Sequence, residues 1–329
     1  MRDATALPIT RRATLSAPLL LLLRHAHAAD WPDRPVTVVV PFGPGSPADV
    51  LARLLAPRLG AAWGQPVVVQ NLPGASSTIG VDHVAKAPPD GHTVVLSGDG
   101  GVVVRPSMDP PVAYDPVRDL AAVSLLTRTR NILVVHPSVP AGNLAELVAL
   151  ARARPGALSY GHTGIGFSIH LGMEMLKQRA GGLDITAVPY ANEGPLALDL
   201  LQGRISMRLG SGPAVLARVL AGDLRAIAVT SRDRVPALPQ VPTVAESGYP
   251  GFEAAAWFGV LAPARTPPAV IARLHRGLMD AMQAPEVGGK LEDLALVPVG
   301  DTPAEFAALI PRETARMAAV LEELGLKRR

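Results

Sequence analysis

The sequence predicts an α/β protein built on open, mostly parallel sheets. Its apolar runs, such as residues 36–40 and 93–97, contain no alternation with charged residues, which is typical of strands that are buried on both faces. Most of these runs end in a glycine or proline turn that leads into an amphipathic segment, and this strand–helix alternation favours parallel sheets covered by helices. About 300 residues follow the N-terminal segment, a length that predicts two domains.

The first strand–helix unit, residues 36–49, also predicts where an anion would bind. Ser46 is a good N-cap, and Pro47 and Asp49 then occupy the first and third helical positions, close to a capping box. The glycine turn at residues 43–45 and the helix N-terminus after it leave backbone N–H groups free at one point, where they favour an anion. An ordinary turn between a strand and a helix is the alternative interpretation.

The remaining elements continue the alternation along the chain. Residues 71–77 are predicted to form a turn, and residues 105–117 a proline-rich irregular segment. Strands are predicted at residues 67–70, 93–97, 132–135, 158–161, 185–189, 205–209, 224–230 and 256–261. Helices are predicted at residues 78–86 and 143–154 and from residues 168, 267 and 303 onward, and the last two are strongly capped and finish the chain.

Residues 1–28 have the pattern of a cleaved export signal. A basic start is followed by an apolar run at residues 17–23 and by Ala26-His27-Ala28, which fits an A-x-A cleavage site. The apolar run is too short to span a bilayer. We therefore expect the rest of the chain to be exported, by either the general or the twin-arginine route.

Composition excludes several classes of function. Residues 1–28 hold four of the 31 basic and one of the 28 acidic side chains, so the remaining chain carries 27 of each. Its net charge of zero gives no support for nucleic-acid binding, which needs a basic surface. The chain has no cysteine, which excludes disulfides, zinc–thiolate sites, iron–sulfur clusters and cysteine nucleophiles.

No motif in the sequence predicts catalysis, a metal or a cofactor. There is no Gly-x-Ser-x-Gly elbow, and the turn at residues 161–166 lacks the spacing of a phosphate-binding or dinucleotide-binding loop. Ser168 and His170 are two positions apart on a helix, so their side chains diverge. His162 is expected to be a solvated loop residue. An exported α/β hydrolase with a Ser/His pair remains an alternative hypothesis.

Three arginines lie in strand-like stretches, where charge is unusual. They are Arg128, Arg130 and Arg208. An arginine can bind a carboxylate through two parallel hydrogen bonds, so Arg128 and Arg130, which lie between the two halves of the chain, are candidates for contact with a ligand. A solvated strand end or a structural ion pair is the alternative for each of the three.

The chain resembles the solute-binding receptors of the tripartite tricarboxylate transporter family, also called Bug receptors. The resemblance rests on short segments that occur in the family's order across nearly all of the chain after the signal. They are residues 31–35, 41–49, 64–69, 71, 73–75, 89–91, 114–116, 160–161, 170–171, 188–190, 199–201, 221–222, 224–225, 229–231, 241–243, 262–263 and 302–303.

This resemblance implies a two-lobed type II periplasmic-binding-protein fold. Each lobe would be a mixed, mostly parallel sheet flanked by helices, and two crossing strands would join them. Lobe 1 would comprise residues 29–127 and 253–329, and lobe 2 residues 128–252. Such a receptor is not an enzyme, works in the periplasm as a monomer, binds a small carboxylate between its lobes and delivers it to the subunits of a membrane transporter. A receptor that reports its ligand to a signalling partner is the alternative.

The resemblance also implies which residues bind the ligand, because a loop from each lobe grips it in this family. The matching loops are residues 42–49 and 161–168. The candidate ligand-binding residues are Phe42, Gly43, Pro44, Gly45, Ser46, Asp49, Ser97, Gly98, His162, Thr163, Gly164, Ile165, Ser168, His170 and Tyr190, with Arg128 and Arg130 added from the argument on charge.

The chain departs from the family's usual pattern in the loops themselves. Residues 43–46 replace a Pro-Pro-Gly-Gly run, Ser76-Ser77 replaces a glycine pair, His162 replaces a small hydroxyl residue, and Gly210 replaces a residue that is often acidic. The identity of the acid, whether a dicarboxylate, tricarboxylate, amino acid or aromatic acid, therefore stays open.

Overall fold

Two β-sheets organise the chain, each covered by its own helices. The computed structural model describes residues 31–166, 168–294 and 296–326, and the predicted export signal at residues 1–28 lies outside them. From Pro32 onward the chain forms one compact unit. No helix in the described part of the chain is long and apolar enough to cross a membrane.

The elements alternate as the sequence predicts. The strands are β1 (Val36–Val40), β2 (Val67–Asn71), β3 (Thr93–Gly98), β4 (Leu120–Thr129), β5 (Asn131–Val135), β6 (Leu158–His162), β7 (Ile185–Pro189), β8 (Met207–Ser211), β9 (Arg225–Val229), β10 (Trp257–Pro263) and β11 (Leu296–Pro298). The helices are α1 (Pro47–Trp63), α2 (Thr78–Ala85), α3 (Leu144–Ala153), α4 (Ser168–Arg179), α5 (Glu193–Leu201), α6 (Gly212–Leu220), α7 (Pro268–Met282), α8 (Pro285–Asp293) and α9 (Pro303–Glu323). A π-helical turn (Gly100–Val104) follows β3.

The six-stranded sheet has the order β11–β4–β10–β3–β1–β2. β1 pairs in parallel with β2 and β3, whereas β10 lies antiparallel between β3 and β4. β4 therefore runs in the same direction as β1, β2 and β3, and the carboxyl ends of all four lie along one edge, where α/β sheets bind ligands. We call this sheet with α1, α2, α7, α8 and α9 the first lobe.

The five-stranded sheet has the order β7–β6–β8–β5–β9. β6 runs parallel to β7 and β8, and β5 runs antiparallel to β8 and β9. The carboxyl ends of β6, β7 and β8 consequently lie at the same edge as the first residue of β5. We call this sheet with α3, α4, α5 and α6 the second lobe.

Two crossing segments tie the lobes together through hydrogen bonds that are buried. The chain leaves the first lobe at Thr129 and enters the second at Asn131. The Thr129 N–H donates to the Ala256 carbonyl at 2.7 Å, and the Ala256 N–H donates to the Thr129 hydroxyl at 2.9 Å. Asn131 Nδ2 and the Thr230 hydroxyl both donate to the Ala254 carbonyl, at 3.2 and 2.6 Å. Polar side chains, rather than apolar packing alone, therefore fix the crossover.

The lobes also touch each other away from the crossover. Leu171 of α4 is 1% exposed and belongs to an apolar cluster of the first lobe that includes Val104, Met108 and Trp257. A Cβ on Gly166, in the loop before α4, would lie 2.7 Å from the sulfur of Met108. Leu171 and Gly166 of the second lobe therefore pack directly against the first lobe.

Several elements were not predicted by the sequence. β4 was missed because its alanines and serine weaken the strand pattern, and α8 was missed because Gly288 and Gly289 are poor helix formers. Val287 and Leu291 anchor α8 through burial. The π-helical turn, α5, α6 and β11 were also not predicted, and β8 lies two residues later than the strand predicted at 205–209.

The crossover generates a prediction for two threonines of β4. Thr129→Val keeps the side-chain shape but leaves the buried Ala256 N–H without its acceptor, so we expect a loss of about 1–3 kcal/mol in the free energy of unfolding. Thr127 is equally buried, but its hydroxyl has no partner among the described residues, so Thr127→Val should be neutral or stabilising. Urea unfolding of both variants checks this, and equal losses would contradict the role given to Thr129.

Candidate ligand-binding site

The loop between β1 and α1 is held in place by one buried carboxylate. Asp49 is 3% exposed. Its Oδ2 accepts from the Gly45 N–H at 2.9 Å, and its Oδ1 accepts from Arg53 Nε and Asn71 Nδ2, both at 2.9 Å. Asn71 Nδ2 also donates to the Phe42 carbonyl at 3.0 Å. The loop is thus closed from inside by a residue of α1 and by the last residue of β2.

Asp49 positions the loop, and its negative charge disfavours direct contact with an anion. Burial acts to raise the pKa of this carboxyl, but hydrogen bonds from Arg53, Gly45 and Asn71 outweigh burial and hold the pKa below its usual value. The group is therefore an anion at neutral pH, and both of its oxygens already accept hydrogen bonds. Asp49 therefore positions the loop, and the ligand contact that the resemblance implied for it stays a prediction. Sequence reasoning missed Arg53 and Asn71 as its partners.

The same loop leaves several backbone donors without a partner. The Ser46 N–H donates to the Gly43 carbonyl and the Asp49 N–H to the Ser46 hydroxyl, each at 3.3 Å. The N–H groups of Phe42, Gly43 and Ala48 have no acceptor in the described part of the chain. Ala48 lies in the first turn of α1, where N–H groups favour negative charge. Phe42 and Gly43 are half-buried, so their N–H groups remain for an anion, whereas Ala48 is fully buried.

Two of the loop glycines have different reasons to be glycine. Gly45 has a φ of +80°, a conformation that side chains disfavour, so a substitution there would disturb the loop as well as any ligand. A Cβ on Gly43 would meet nothing within 4 Å, and its φ is not in the left-handed region. The space above Gly43 is thus open. Pro44 is exposed and Ser46 half-buried beside it.

Ser97 and Gly98, at the end of β3, support the loop from below. The Phe42 ring meets Phe258 edge to face with centroids 6.0 Å apart. A Cβ on Gly98 would lie 3.4 Å from both rings and 3.2 Å from the Trp257 carbonyl, so glycine allows this close packing. Ser97 is fully buried. Neither residue presents a side chain to the open space at Gly43.

The second-lobe loop is held by two histidine rings. The Gly164 N–H donates to His162 Nδ1 at 3.3 Å, and the Gly166 N–H donates to His170 Nδ1 at 3.4 Å. The two ring centroids are 4.7 Å apart. Because each Nδ1 accepts a hydrogen bond, a neutral ring must carry its proton on Nε2. The expectation that His162 is solvated was wrong, because it ends β6 and is 3% exposed.

Both histidines are neutral at pH 7. Burial lowers the pKa of His170 to about 4, with a further contribution from the nearby His162. Burial likewise lowers the pKa of His162. Glu174 acts in the opposite direction on both rings, but it also accepts from Lys177 Nζ at 2.7 Å and from the Tyr160 hydroxyl at 2.6 Å, which limits its effect.

The other second-lobe candidates differ in what they offer a ligand. Thr163, Gly164 and Ser168 are half-buried, and Ile165 is 54% exposed. The Tyr190 N–H donates to the His162 carbonyl, and the Tyr190 hydroxyl donates to Asp199, so its polar groups serve the fold. His170 Nδ1 binds a backbone N–H, which agrees with the expectation that Ser168 and His170 form no catalytic pair.

The three strand arginines separate into distinct environments. Arg208 is 2% exposed and binds Glu193 with both terminal nitrogens, at 2.6 and 3.2 Å, so it forms a structural ion pair. Arg128 lies near the end of β4, opposite Trp257. Arg130 lies in the crossover between β4 and β5. The described residues contain no group of three or more His, Asp or Glu side chains that could hold a metal ion.

Two α/β lobes, joined by a double crossover and each bearing a glycine loop at the carboxyl edge of its sheet, define a two-lobed solute-binding protein. The chain belongs to the tripartite tricarboxylate transporter receptor family, whose model matches residues 51–326. The fold class that the sequence predicted is confirmed by this match and by the solved relatives. The family consists of solute-binding receptors, so the hydrolase alternative is set aside and the prediction that the chain is not an enzyme is confirmed.

Individual relatives cover nearly the whole chain. Protein BugT of Bordetella pertussis is 39% identical over 301 residues, 91% of this chain and 92% of BugT. Rpa4515 of R. palustris, solved with adipate, is 36% identical with a TM-score of 0.83 and covers 90% of this chain and 99% of its own. The periplasmic binding protein BugD is 30% identical (TM-score 0.82, covering 91% and 100%). MatC of Rhodopseudomonas palustris, solved with bound malate, is 31% identical (TM-score 0.79, covering 88% and 100%).

The histidine pair generates a pH prediction. Native His170 has a pKa of about 4 and the unfolded residue one near 6.5, so the unfolded chain binds the proton first as the pH falls. The free energy of unfolding should therefore drop between pH 6.5 and 4, by on the order of 1–3 kcal/mol from this group. His170→Asn keeps an acceptor at the Nδ1 position without titrating and should flatten that drop.

Wild type and His170→Asn must be compared because Asp99 changes the free energy of unfolding in the same pH range with the opposite sign. Burial raises the pKa of Asp99 to about 7, so its contribution to stability grows as the pH falls. Urea unfolding at pH 7, 5.5 and 4.5 on both proteins isolates His170 by difference. Parallel stability curves would contradict the assignment of a neutral, buried His170.

Proposed function

We propose that this receptor captures a small carboxylate between its two lobes and delivers it to the membrane subunits of a tripartite tricarboxylate transporter. The observation that carries the proposal is the loop between β1 and α1, where the N–H groups of Phe42 and Gly43 have no acceptor among the described residues and a Cβ on Gly43 would meet nothing within 4 Å. Backbone donors at a helix N-terminus bind a carboxylate without a charged side chain. The second loop, at residues 162–166, supplies the opposite wall.

The acid that fits best is a dicarboxylate. Rpa4515 was solved with adipate and MatC with malate, and both molecules carry two carboxylates on a short chain. These two relatives share more than 30% of their residues with this chain. Among the acids that the sequence left open, this class therefore receives support from proteins of the same family.

Two observations of different kinds support a periplasmic location. Residues 1–28 have the pattern of a cleaved export signal, and BugD, a relative of the same fold, is a periplasmic binding protein. A receptor in that compartment meets its ligand before a membrane transporter does. Delivery to transporter subunits, rather than to a sensor, rests on the family to which the chain belongs.

A melting-temperature screen tests the proposal. A ligand at 100 times its Kd adds about 2.7 kcal/mol to the stability of a protein that binds it only when folded, so a matching acid should raise the melting temperature by several degrees. The panel contains adipate, malate, succinate and citrate, with hexanoate as a monocarboxylate and adipamide as a neutral control. Binding of adipamide as tightly as adipate, or of no acid at all, would overturn the proposal.

Gly43 supplies a test of the loop itself. Gly43→Val places a side chain in the open space at Gly43, beside its own N–H and that of Phe42, so we expect affinity for the best acid to fall about tenfold or more, which is about 1.4 kcal/mol. The melting temperature without ligand should change little, because nothing in the fold occupies that space.

The matched control is Gly289→Val on the exposed surface of α8, where a Cβ also meets nothing within 4 Å. Calorimetry should find unchanged affinity in this control. Full affinity in Gly43→Val would remove the loop between β1 and α1 from the site.

A further inference from the structure

Arg130 lies at the point where the chain passes between the lobes, and both of its neighbours are fixed. Thr129 and Asn131 are 3% and 1% exposed, and their side chains bind the backbone of the returning strand at Ala256 and Ala254. The backbone on each side of Arg130 is therefore held in one conformation, which places the start of its side chain at a defined position beside the interlobe edge.

The Arg130 guanidinium lacks a partner in the described part of the chain. Its Nε is buried and makes no hydrogen bond, and no described carboxylate forms an ion pair with it. A buried cationic donor without an acceptor is unfavourable. Arg208 shows how this fold treats an arginine that serves structure, because Glu193 binds both of its terminal nitrogens. Arg130 therefore has donors for an acceptor that the described part of the chain does not supply.

Arg128, two residues earlier, is in a different situation. It pairs in register with Trp257 of β10 and Val297 of β11. Its charge acts on Asp301, whose pKa is raised by burial and by Glu305 and lowered by Arg128. The charge of Arg128 therefore already acts on an acidic group of the first lobe. From the sequence, Arg128 and Arg130 were equal candidates for contact with a ligand, and their surroundings in the structure differ.

β10 connects Arg130 to the loop between β1 and α1. Phe258 packs against Phe42 of that loop and pairs in register with Thr127. Arg130 is three residues beyond Thr127, which is about 10 Å along an extended strand. A long arginine side chain and a short diacid together bridge such a distance.

We propose that Arg130 binds the second carboxylate of a linear dicarboxylate whose first carboxylate lies at the backbone donors of Phe42 and Gly43. The inference rests on the proposed function and adds the residue that selects diacids over monoacids. The backbone donors are at one end of the site and satisfy one carboxylate. The planar guanidinium supplies two parallel donors for the other.

The experiment compares adipate with hexanoate, which have the same six-carbon chain with and without the second carboxylate. Calorimetry on the wild-type protein should give an affinity for adipate at least about tenfold higher. In Arg130→Met the affinity for adipate should fall at least about tenfold, while that for hexanoate changes less than twofold. Arg128→Met is the matched control and should leave the ratio of the two affinities unchanged.

A second readout separates a ligand contact from a structural role. The melting temperature of ligand-free Arg130→Met should equal or exceed that of wild type, because Arg130 is half-buried and methionine removes its buried, unpartnered Nε while it keeps the side-chain stem. A lower melting temperature with equal losses for both acids would overturn the inference. Arg130→Lys keeps the positive charge without the two parallel donors of the guanidinium, and should retain part of the selectivity for adipate over hexanoate.

The outcomes for the inference and for the proposed function are distinct. Wild-type protein that binds hexanoate as tightly as adipate overturns the role of Arg130 while the carboxylate receptor stands. Wild-type protein that binds neither these two acids nor malate overturns both. Equal affinities need no variant, so the test holds even if Arg130→Met fails to fold.

Discussion

The Asp49 carboxylate is the constraint on which the rest of the first-lobe site depends. It accepts hydrogen bonds from the loop at Gly45, from its own helix at Arg53 and from the neighbouring strand at Asn71. One buried charge thereby joins the loop, its own helix and a neighbouring strand. The carboxylate is satisfied internally and fixes the loop, while the N–H groups of Phe42 and Gly43 are left without an acceptor among the described residues, so a loop without any cationic side chain becomes suited to an anion.

Strand–helix alternation was sufficient to predict the fold class, because strands that are buried on both faces leave apolar runs that can be recognised without knowledge of the tertiary structure. β1, β3 and β5 have this signal. β4 lacks this signal. It forms a strand nonetheless, because pairing with β10 on one side and β11 on the other compensates for its weak local pattern. α8 also has a weak local pattern, and it forms because burial of Val287 and Leu291 offsets two helical glycines. Tertiary packing decides such elements, and a single sequence does not reveal the partner.

The loops that bear the candidate site could be predicted, but the roles of their side chains could not. Spacing placed Ser46, Pro47 and Asp49 at a helix start, yet gave no sign that Asn71 would reach Asp49. His162 and His170 are eight residues apart, and only the turn at residues 163–166 brings their rings together. Whether a side chain faces solvent, a neighbour or a ligand depends on such long-range geometry. Which residues contact the ligand remains a prediction.

The packing of the second lobe against the first affects how tightly the receptor binds any solute. Leu171 of the second lobe enters an apolar cluster of the first lobe, so burial of this side chain stabilises the arrangement of the two lobes without any contribution from a ligand. Apparent affinity scales with the fraction of molecules already in the binding-competent form. Selection can therefore raise or lower retention of a solute by changing one leucine and its apolar neighbours, while the chemistry that recognises the solute stays the same.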